Sequence, residues 1–140
     1  MDPNQLKHLE MIQAIITRLA GNSFMIRGWS ITLVSALLGF AFKDWNWPLV
    51  AACFFPNLMF WVLDSIYLLE ERKFRWLFDE VRQGRVTGFD MNRDKAGAEP
   101  KNKYWNVFSS RTTLVFHGAL FILIAAGLAC VLLAPRPSPR

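Results

Sequence analysis

The sequence predicts an all-α integral membrane protein with three membrane-spanning helices. This prediction is based on the uneven distribution of its apolar and charged residues. Hydrophobic residues make up 53% of the 140 residues and charged residues 19%. Charge is almost absent from three stretches, residues 28–42, 47–69 and 112–134. A helix needs roughly 20 apolar residues to cross about 30 Å of hydrocarbon. The second and third stretches reach that length, and the first reaches it from residue 24 if Arg27 extends its guanidinium toward water. A very apolar soluble helical bundle is the alternative.

Residues 1–22 predict an amphipathic cytosolic helix that leads into the first span, residues 24–42. Asp2 is a favourable helix cap and Pro3 a favourable first helical residue. Gly21-Asn22-Ser23 predicts a break or a kink before the span, but the apolar spacing continues across it, so one uninterrupted helix is the alternative. Because no short basic region precedes the first apolar run, we expect no signal peptide.

A row of apolar and small residues recurs at three- and four-residue spacing along the lead-in helix and into the first span. Such a row is typical of a face that packs on another helix, either in the same chain or in a second copy of it. A helix lying flat on lipid is the alternative for the first twenty residues. We call the row the seam; it consists of Leu9, Ile12, Ile16, Leu19, Ser23, Ile26 and Ser30, and the same spacing continues to Leu33, Leu37 and Phe40.

The second span, residues 47–69, follows the first after a short loop, so the two form a transmembrane hairpin. Pro56 lies inside it and predicts a kink, because proline lacks the backbone donor of a helical residue. Residues 70–110 then predict a cytosolic helix that ends near Gly84 and a loop with one short extended piece. The apolar stripe of that cytosolic helix consists of Phe74, Leu77, Phe78 and Val81.

The positive charges predict the orientation. Of the 16 Lys and Arg residues, two precede the first span and a third, Arg27, lies at its cytoplasmic start; one lies in the first loop, ten lie between the second and third spans and two lie in the tail. The positive-inside rule therefore places the N-terminus and residues 70–110 in the cytoplasm. A third span (112–134) and an external tail (135–140) complete a single membrane domain, residues 1–140.

The basic net charge does not indicate a nucleic-acid partner. The ten basic residues between the second and third spans are interleaved with seven acidic ones, and the net charge of +5 fits the topology and an affinity for anionic lipid. The sequence also lacks a glycine-rich phosphate loop, a nucleophile elbow and the spacing of zinc ligands. We therefore expect a non-enzymatic protein without metal or cofactor. Cys53 and Cys130 are expected to be free, buried thiols, although their depths also allow a disulfide.

Asp64 is an acid inside the second span, and helix geometry places other polar residues near it. Counted from the outer boundary at about 1.5 Å per residue, Arg27 and Asp64 lie at depths of roughly 24 and 26 Å, and His117 lies at a similar level. Since isolated charges are costly in hydrocarbon, we expect these residues to form a polar layer.

The sequence leaves three interpretations of this layer open. Arg27 and Asp64 neutralise each other and fix the hairpin, or they line a water-filled path, or Arg27 extends alone to water while Asp64 is protonated. Asn57, near the midplane of the second span, is either a hydrogen-bonding contact between helices or part of a pore lining.

Residues 6–82 place a lead-in helix, a short-looped hairpin and a cytosolic helix in that order, from LKHLEMIQAIITRLAGNSFMIRGWSITL to LDSIYLLEERKFRWLFDEVR. This architecture resembles small bacterial inner-membrane proteins of antiphage defence, namely the SLATT-type effectors and the ring-forming membrane accessories of RNA-guided CRISPR systems. The third span departs from their two-span pattern. The resemblance implies a protein of the bacterial inner membrane that assembles with copies of itself and perforates or depolarises that membrane.

We therefore expect a homo-oligomer in the lipid bilayer that forms or gates a pore, with its C-terminus outside. Arg27, Asn57, Asp64 and His117 are the expected polar interior. The seam and residues 70–84 are the expected cytosolic assembly or sensor surfaces. One alternative is a non-conducting scaffold or small subunit that docks a larger cytosolic or membrane partner through residues 70–110. A transporter subunit is a further alternative.

Overall fold

The chain folds into a bundle in which three long helices pack side by side. The computed structural model describes residues 2–86 and 88–133, and these residues form helices, turns and loops but no strand. The end of the predicted third span and the tail predicted at 135–140 lie outside the described residues. The α-helices, in chain order, are α1 (Pro3–Lys43), α2 (Trp47–Ala52), α3 (Phe54–Arg82), α4 (Tyr104–Phe108) and α5 (Arg111–Leu133). Two 3-10 helices, Asp94–Ala98 and Pro100–Asn102, lie between α3 and α4.

Three helical segments are long and apolar enough to cross a membrane: α1, α2 together with α3, and α5. Large apolar side chains point outward from each of them, and Phe24, Phe55 and Ile122 are 80%, 71% and 70% exposed. An apolar surface of this extent is unusual for a protein surrounded by water. The all-helical fold and the three helices of spanning length are confirmed, whereas insertion into a membrane stays a prediction.

The lead-in helix and the first span form one helix, because α1 continues without a break past Gly21. It begins as predicted, with Pro3 in the first turn and the Asp2 side chain accepting a hydrogen bond from the Asn4 backbone N–H at 3.2 Å. At about 1.5 Å per residue its 41 residues extend about 60 Å. A hydrocarbon layer of about 30 Å would therefore cover only about half of α1.

The seam packs on α3 of the same chain. Leu9, Ile12 and Ile16 form a hydrophobic core with Leu77 and Val81. The predicted assembly surface is therefore occupied within the chain, and the N-terminal part of α1 does not lie alone on lipid. We call this helix pair, residues 3–22 of α1 and 70–82 of α3, the arm. Of the remaining seam residues, Ser23 and Ser30 are buried, and Leu19 and Ile26 are half-buried. On α3, Phe74 and Phe78 of the predicted stripe pack at the edge of the core.

Beyond Ser30 the buried face of α1 differs from the sequence prediction by one position. An α-helix has about 3.6 residues per turn, so a spacing of 3.5 rotates away from a fixed neighbour by roughly 20° in every seven residues. The predicted continuation therefore turns outward, and Phe40 is 66% exposed. The buried residues are Val34, Leu38 and Ala41 in place of Leu33, Leu37 and Phe40.

The second span is interrupted where Pro56 predicts a kink. α2 ends at Ala52 and α3 begins at Phe54. Pro56 has no N–H to donate to the carbonyl of Ala52 one turn earlier. At the break the Cys53 N–H bonds to the carbonyl of Val50 at 3.1 Å, which tightens the last turn of α2.

A second core holds α2 and α5 against the C-terminal part of α1. Both cysteines are free, but only Cys53 lies in this core, whereas Cys130 is exposed on α5. The prediction of two buried thiols is therefore wrong for Cys130. α5 packs tightly on α1 at Gly127, where an added Cβ would lie 3.1 Å from Cζ of Phe42.

The segment after α3 folds back along the arm. Gly84 ends the helix as predicted, with a φ of 72° that glycine adopts readily. Arg93 returns to α3, where its Nε lies 2.5 Å from the Glu70 carboxylate and its guanidinium lies 5.5 Å from the ring centre of Phe74. The chain is thereby fixed at both ends of the arm.

Two 3-10 helices replace the short extended piece that the sequence predicts after residue 86. The side chain of Asn102 donates a hydrogen bond to the carbonyl of Ala96 at 2.9 Å, which links the two helices. Arg72 of α3 also donates to the carbonyl of Lys101 at 3.2 Å. These side-chain contacts satisfy backbone carbonyls that a strand partner would otherwise bind.

Gly127→Leu should destabilise the protein, because the added side chain meets Phe42 in a packed interface and overpacking costs about 1–3 kcal/mol. Thermal unfolding of the detergent-solubilised chain measures the effect. Gly118→Leu is the matched control, since an added Cβ there meets no atom within 4 Å. Both variants gain the same apolar volume and helix propensity. Equal stability of the two variants would contradict the close approach of α1 and α5.

Glu70, just outside the predicted second span, predicts a pH dependence. Burial disfavours the charged Glu70 carboxylate, but the hydrogen bonds from Lys73 and Arg93 outweigh burial and hold its pKa below the ordinary value. A lowered pKa stabilises the fold above the unfolded pKa of about 4.3, and this stabilisation is lost as pH falls through the folded pKa. Glu70→Gln should therefore lower the free energy of unfolding by about 1 kcal/mol near neutral pH.

The difference between Glu70→Gln and the unsubstituted protein should shrink as the pH is lowered below the unfolded pKa. Thermal unfolding across a pH series measures it. Glu99→Gln is the control, because Glu99 pairs with Lys101 at 2.8 Å in a more exposed position. A Glu70→Gln effect that stays constant over the series would exclude ionisation as its cause.

Candidate functional site

The four polar residues predicted to share a layer lie together where α1, α3 and α5 meet. Arg27 comes from α1, Asn57 and Asp64 from α3, and His117 from α5. Arg27 is half-buried, whereas the other three are at most 1% exposed. Asn57 and Asp64 are two helical turns apart, which places both on the face of α3 that meets the other helices.

The Asp64 carboxylate is the centre of this layer. It accepts hydrogen bonds from the Ser23 hydroxyl and from Nε of Arg27, the latter at 2.9 Å, and it lies 3.2 Å from Nε2 of His117. Ser23 and Arg27 are one helical turn apart on α1 and therefore reach the same carboxylate. A single acid of α3 thus joins three helices.

Arg27 pairs with Asp64 from the edge of the bundle. The side chain of Arg27 keeps 23% of its surface exposed, whereas that of Asp64 keeps none. The guanidinium also lies 5.7 Å from the ring centre of Phe116, within the range of a cation–π contact. Of the three interpretations in the sequence analysis, the one in which Arg27 extends alone to water is therefore wrong.

Asn57 and His117 join α3 to α5 by two further contacts. Nδ2 of Asn57 donates to the carbonyl of His117 at 3.3 Å, and Oδ1 of Asn57 lies 3.4 Å from Nδ1 of His117. Asn57 is thus an interhelical contact within one chain. Its two contacts satisfy a helix carbonyl and fix the position of the imidazole ring.

The imidazole of His117 has an oxygen atom beside each of its nitrogens, Asp64 at Nε2 and Asn57 at Nδ1. A neutral imidazole carries one N–H and one lone pair, so it satisfies only one of these oxygens. Exchanging the oxygen and nitrogen of the Asn57 amide does not give the ring a better partner, because it would place the amide oxygen against the His117 carbonyl. The ring therefore donates to either Asp64 or Asn57, and its position between them joins α3 to α5.

Two residues that the sequence analysis did not assign to the layer support it. Trp61 stacks on His117 with ring centres 5.8 Å apart, and its Nε1 donates to the carbonyl of Phe108 at 3.1 Å. Ser23 was assigned only to the seam. The signal for Trp61 is its spacing, four residues after Asn57 and three before Asp64, which places it on the same helical face.

The centre of the layer is closed to solvent, while Arg27 reaches its edge. Asp64 and His117 are 0% exposed, and the side chains of Ser23, Arg27 and His117 surround the Asp64 carboxylate. The site therefore combines an ion pair, a hydrogen-bonding imidazole and a junction of three helices. It holds two opposite charges together, and a movement of the helices would separate them.

Asp64→Asn should destabilise the fold, because it leaves Arg27 without its anion. Breaking a buried pair costs about 3–5 kcal/mol, and the partial exposure of Arg27 places the loss near about 3 kcal/mol. In the double variant Arg27→Gln/Asp64→Asn most of this loss should be recovered, since no unpaired charge remains. Unfolding in mixed micelles gives the four free energies of the cycle.

Asp44→Asn serves as the control, because it makes the same change at an exposed position after α1. Losses that simply add in the double variant would show that Arg27 and Asp64 do not interact energetically.

Comparisons with protein-family models, with curated proteins and with solved structures find no match to this chain. The resemblance to antiphage membrane effectors stays a prediction based on architecture. Evidence about function therefore comes from the polar layer and from the surfaces around it.

Proposed function

We propose that this protein is a homo-oligomer of the bacterial inner membrane that forms or gates a path for ions, acting as an effector that perturbs membrane integrity in antiphage defence. The observation that carries the proposal is the Asp64 carboxylate, which is completely buried on an apolar helix and bonded to two others. Ionisable groups on membrane helices commonly mark the paths of ions and protons.

In this proposal the polar layer is the closed gate. Closure depends on Asp64 holding Ser23 and Arg27 of α1 and His117 of α5. A trigger that weakens these contacts biases the balance between a joined and a separated arrangement. Once separated, the charges are tolerated only where they face water. Several copies around a common axis would supply that water-filled space.

The arm connects this gate to the cytoplasm. α1 is continuous from Asn4 to Arg27, and α3 is continuous from Asp64 to Val81. Because both helices are rigid and pack on each other along the arm, a displacement at its free end is carried to the Arg27–Asp64 pair. Residues 70–110 then serve as the surface where a trigger or a cytosolic partner acts.

The charged and aromatic residues support a lipid location with the N-terminus in the cytoplasm and the C-terminus outside. Trp29, Trp47 and Trp105 lie near the predicted membrane boundaries and are 59%, 49% and 74% exposed. Tryptophan is enriched at such boundaries, and basic residues are enriched on the cytoplasmic side.

A non-conducting scaffold or small subunit is the second candidate. The observation that favours it is that one chain satisfies Asp64 completely, so burial of this charge does not require a lumen between copies. The Arg27–Asp64 pair would then fix the hairpin, and residues 70–110 would dock a larger cytosolic or membrane partner.

The mass of the particle in lipid nanodiscs and the ion flux through proteoliposomes distinguish the two candidates. We expect a ring of several copies. Asp64→Asn should raise the flux of the untriggered protein at least about tenfold, which corresponds to about 1.4 kcal/mol of lost gate closure. The double variant Arg27→Gln/Asp64→Asn keeps neutrality and guards against simple misfolding of the single variant. Asp44→Asn should leave the flux unchanged.

A monomer or dimer that conducts in none of these variants would contradict the gating proposal. The scaffold would then be supported by co-purification of one stoichiometric partner that Asp64→Asn still retains.

A further inference from the structure

A cavity of about 290 Å³ lies at the free end of the arm, between the start of α1 and the turn that follows α3. Its walls include the apolar side chains of Val81 and Val86 and the ring of Phe89. We infer that this cavity binds a small organic cation, an ammonium or guanidinium group attached to an apolar body. The inference is independent of the polar layer and goes beyond the proposed gating function.

His8 provides the first observation. It is 2% exposed and lines the cavity, and its Nε2 has no hydrogen-bond partner among the residues that the structure describes. A buried polar atom without a partner is unfavourable, since it has lost its contact with water. A ligand that donates a hydrogen bond to Nε2 removes this deficit when Nδ1 carries the proton of the neutral ring.

The other polar groups of the cavity favour a donor as the ligand. The carboxylate of Asp2 only accepts hydrogen bonds, and Gln5 uses its amide N–H groups on the carbonyls of Val81 and Arg82, at 2.8 and 3.4 Å. The Gln5 carbonyl oxygen therefore remains as an acceptor, and the Asn4 amide oxygen is a further one. No Lys or Arg is among the described residues that line the cavity.

Phe89 forms an aromatic wall for such a cation. Its ring centre lies 5.6 Å from that of His8, it lines the cavity, and the residue is 44% exposed. Gly84, Gly88 and Phe89 have φ values of 72°, 76° and 58°. A positive φ is strained for an aromatic residue, and such strain is found most often at ligand sites. Here it holds the ring against the cavity, where a cation–π contact is available.

Benzylammonium is a suitable probe, because it combines an ammonium group with an apolar ring of the right size. Saturation-transfer NMR on the full chain in nanodiscs measures binding, with empty nanodiscs as the reference for lipid partition. Benzyl alcohol and benzoate are the neutral and anionic counterparts. We expect benzylammonium to bind the protein and the other two to bind at least about fivefold more weakly.

Two substitutions locate the site. Asp2→Asn should weaken benzylammonium binding at least about fivefold while preserving the helix cap, because asparagine caps as well as aspartate. Phe89→Leu should weaken it similarly through loss of the aromatic face. Asp79→Asn is the matched control, since Asp79 is an exposed acid of the arm that pairs with Arg82 outside the cavity.

The inference is overturned if benzoate or benzyl alcohol binds as tightly as benzylammonium, or if Asp2→Asn and Phe89→Leu both leave the affinity unchanged. A signal no larger than that of empty nanodiscs would overturn it as well. Because the measurement reports binding and not ion flux, its failure leaves the gating proposal standing, and a non-conducting protein leaves this site standing.

Discussion

The arrangement of the three long helices depends on the need to satisfy one buried carboxylate. Asp64 has no contact with solvent, so its charge must be balanced by donors from the protein itself. Ser23 and Arg27 of α1 donate to it, and Nε2 of His117 on α5 lies 3.2 Å from it. Each of these side chains reaches the carboxylate only if its helix has one particular depth and rotation. A single acid on α3 therefore defines how both neighbouring helices are positioned.

The arm and the bundle are stabilised in opposite ways. In the arm the core is apolar, with Leu9, Ile12 and Leu77 inside, and the buried acid Glu71 is paired with Arg75 at its edge. Around Asp64 the interior is polar, and large apolar side chains such as Phe24 point outward. If hydrocarbon surrounds the bundle, as we propose, apolar burial alone gives little preference for one helix arrangement, because lipid tails are as apolar as the side chains. Specific polar contacts then decide the packing, while the hydrophobic effect decides it in the arm.

The sequence by itself determined the features that belong to one helix at a time. The lengths of the apolar stretches, the start of α1 at Pro3, the interruption near Pro56 and the end of α3 before Gly84 follow from local chemistry. The common depth of Arg27 and Asp64 also follows, because the rise per residue is the same in every α-helix. The sequence left open whether α1 is one uninterrupted helix or breaks near Gly21, since glycine weakens a helix without necessarily ending it.

Only the tertiary structure decided how the helices are rotated against one another. It placed the seam on α3 of the same chain, added Ser23 and Trp61 to the layer around Asp64, and moved the buried face of α1 to Val34. It also formed the cavity at the free end of the arm. The residues that line this cavity, His8 among them, come from segments far apart in the sequence. Spacing along a helix identifies a face, but not the partner of that face. The partner is chosen by the summed packing and hydrogen bonding of all the helices at once.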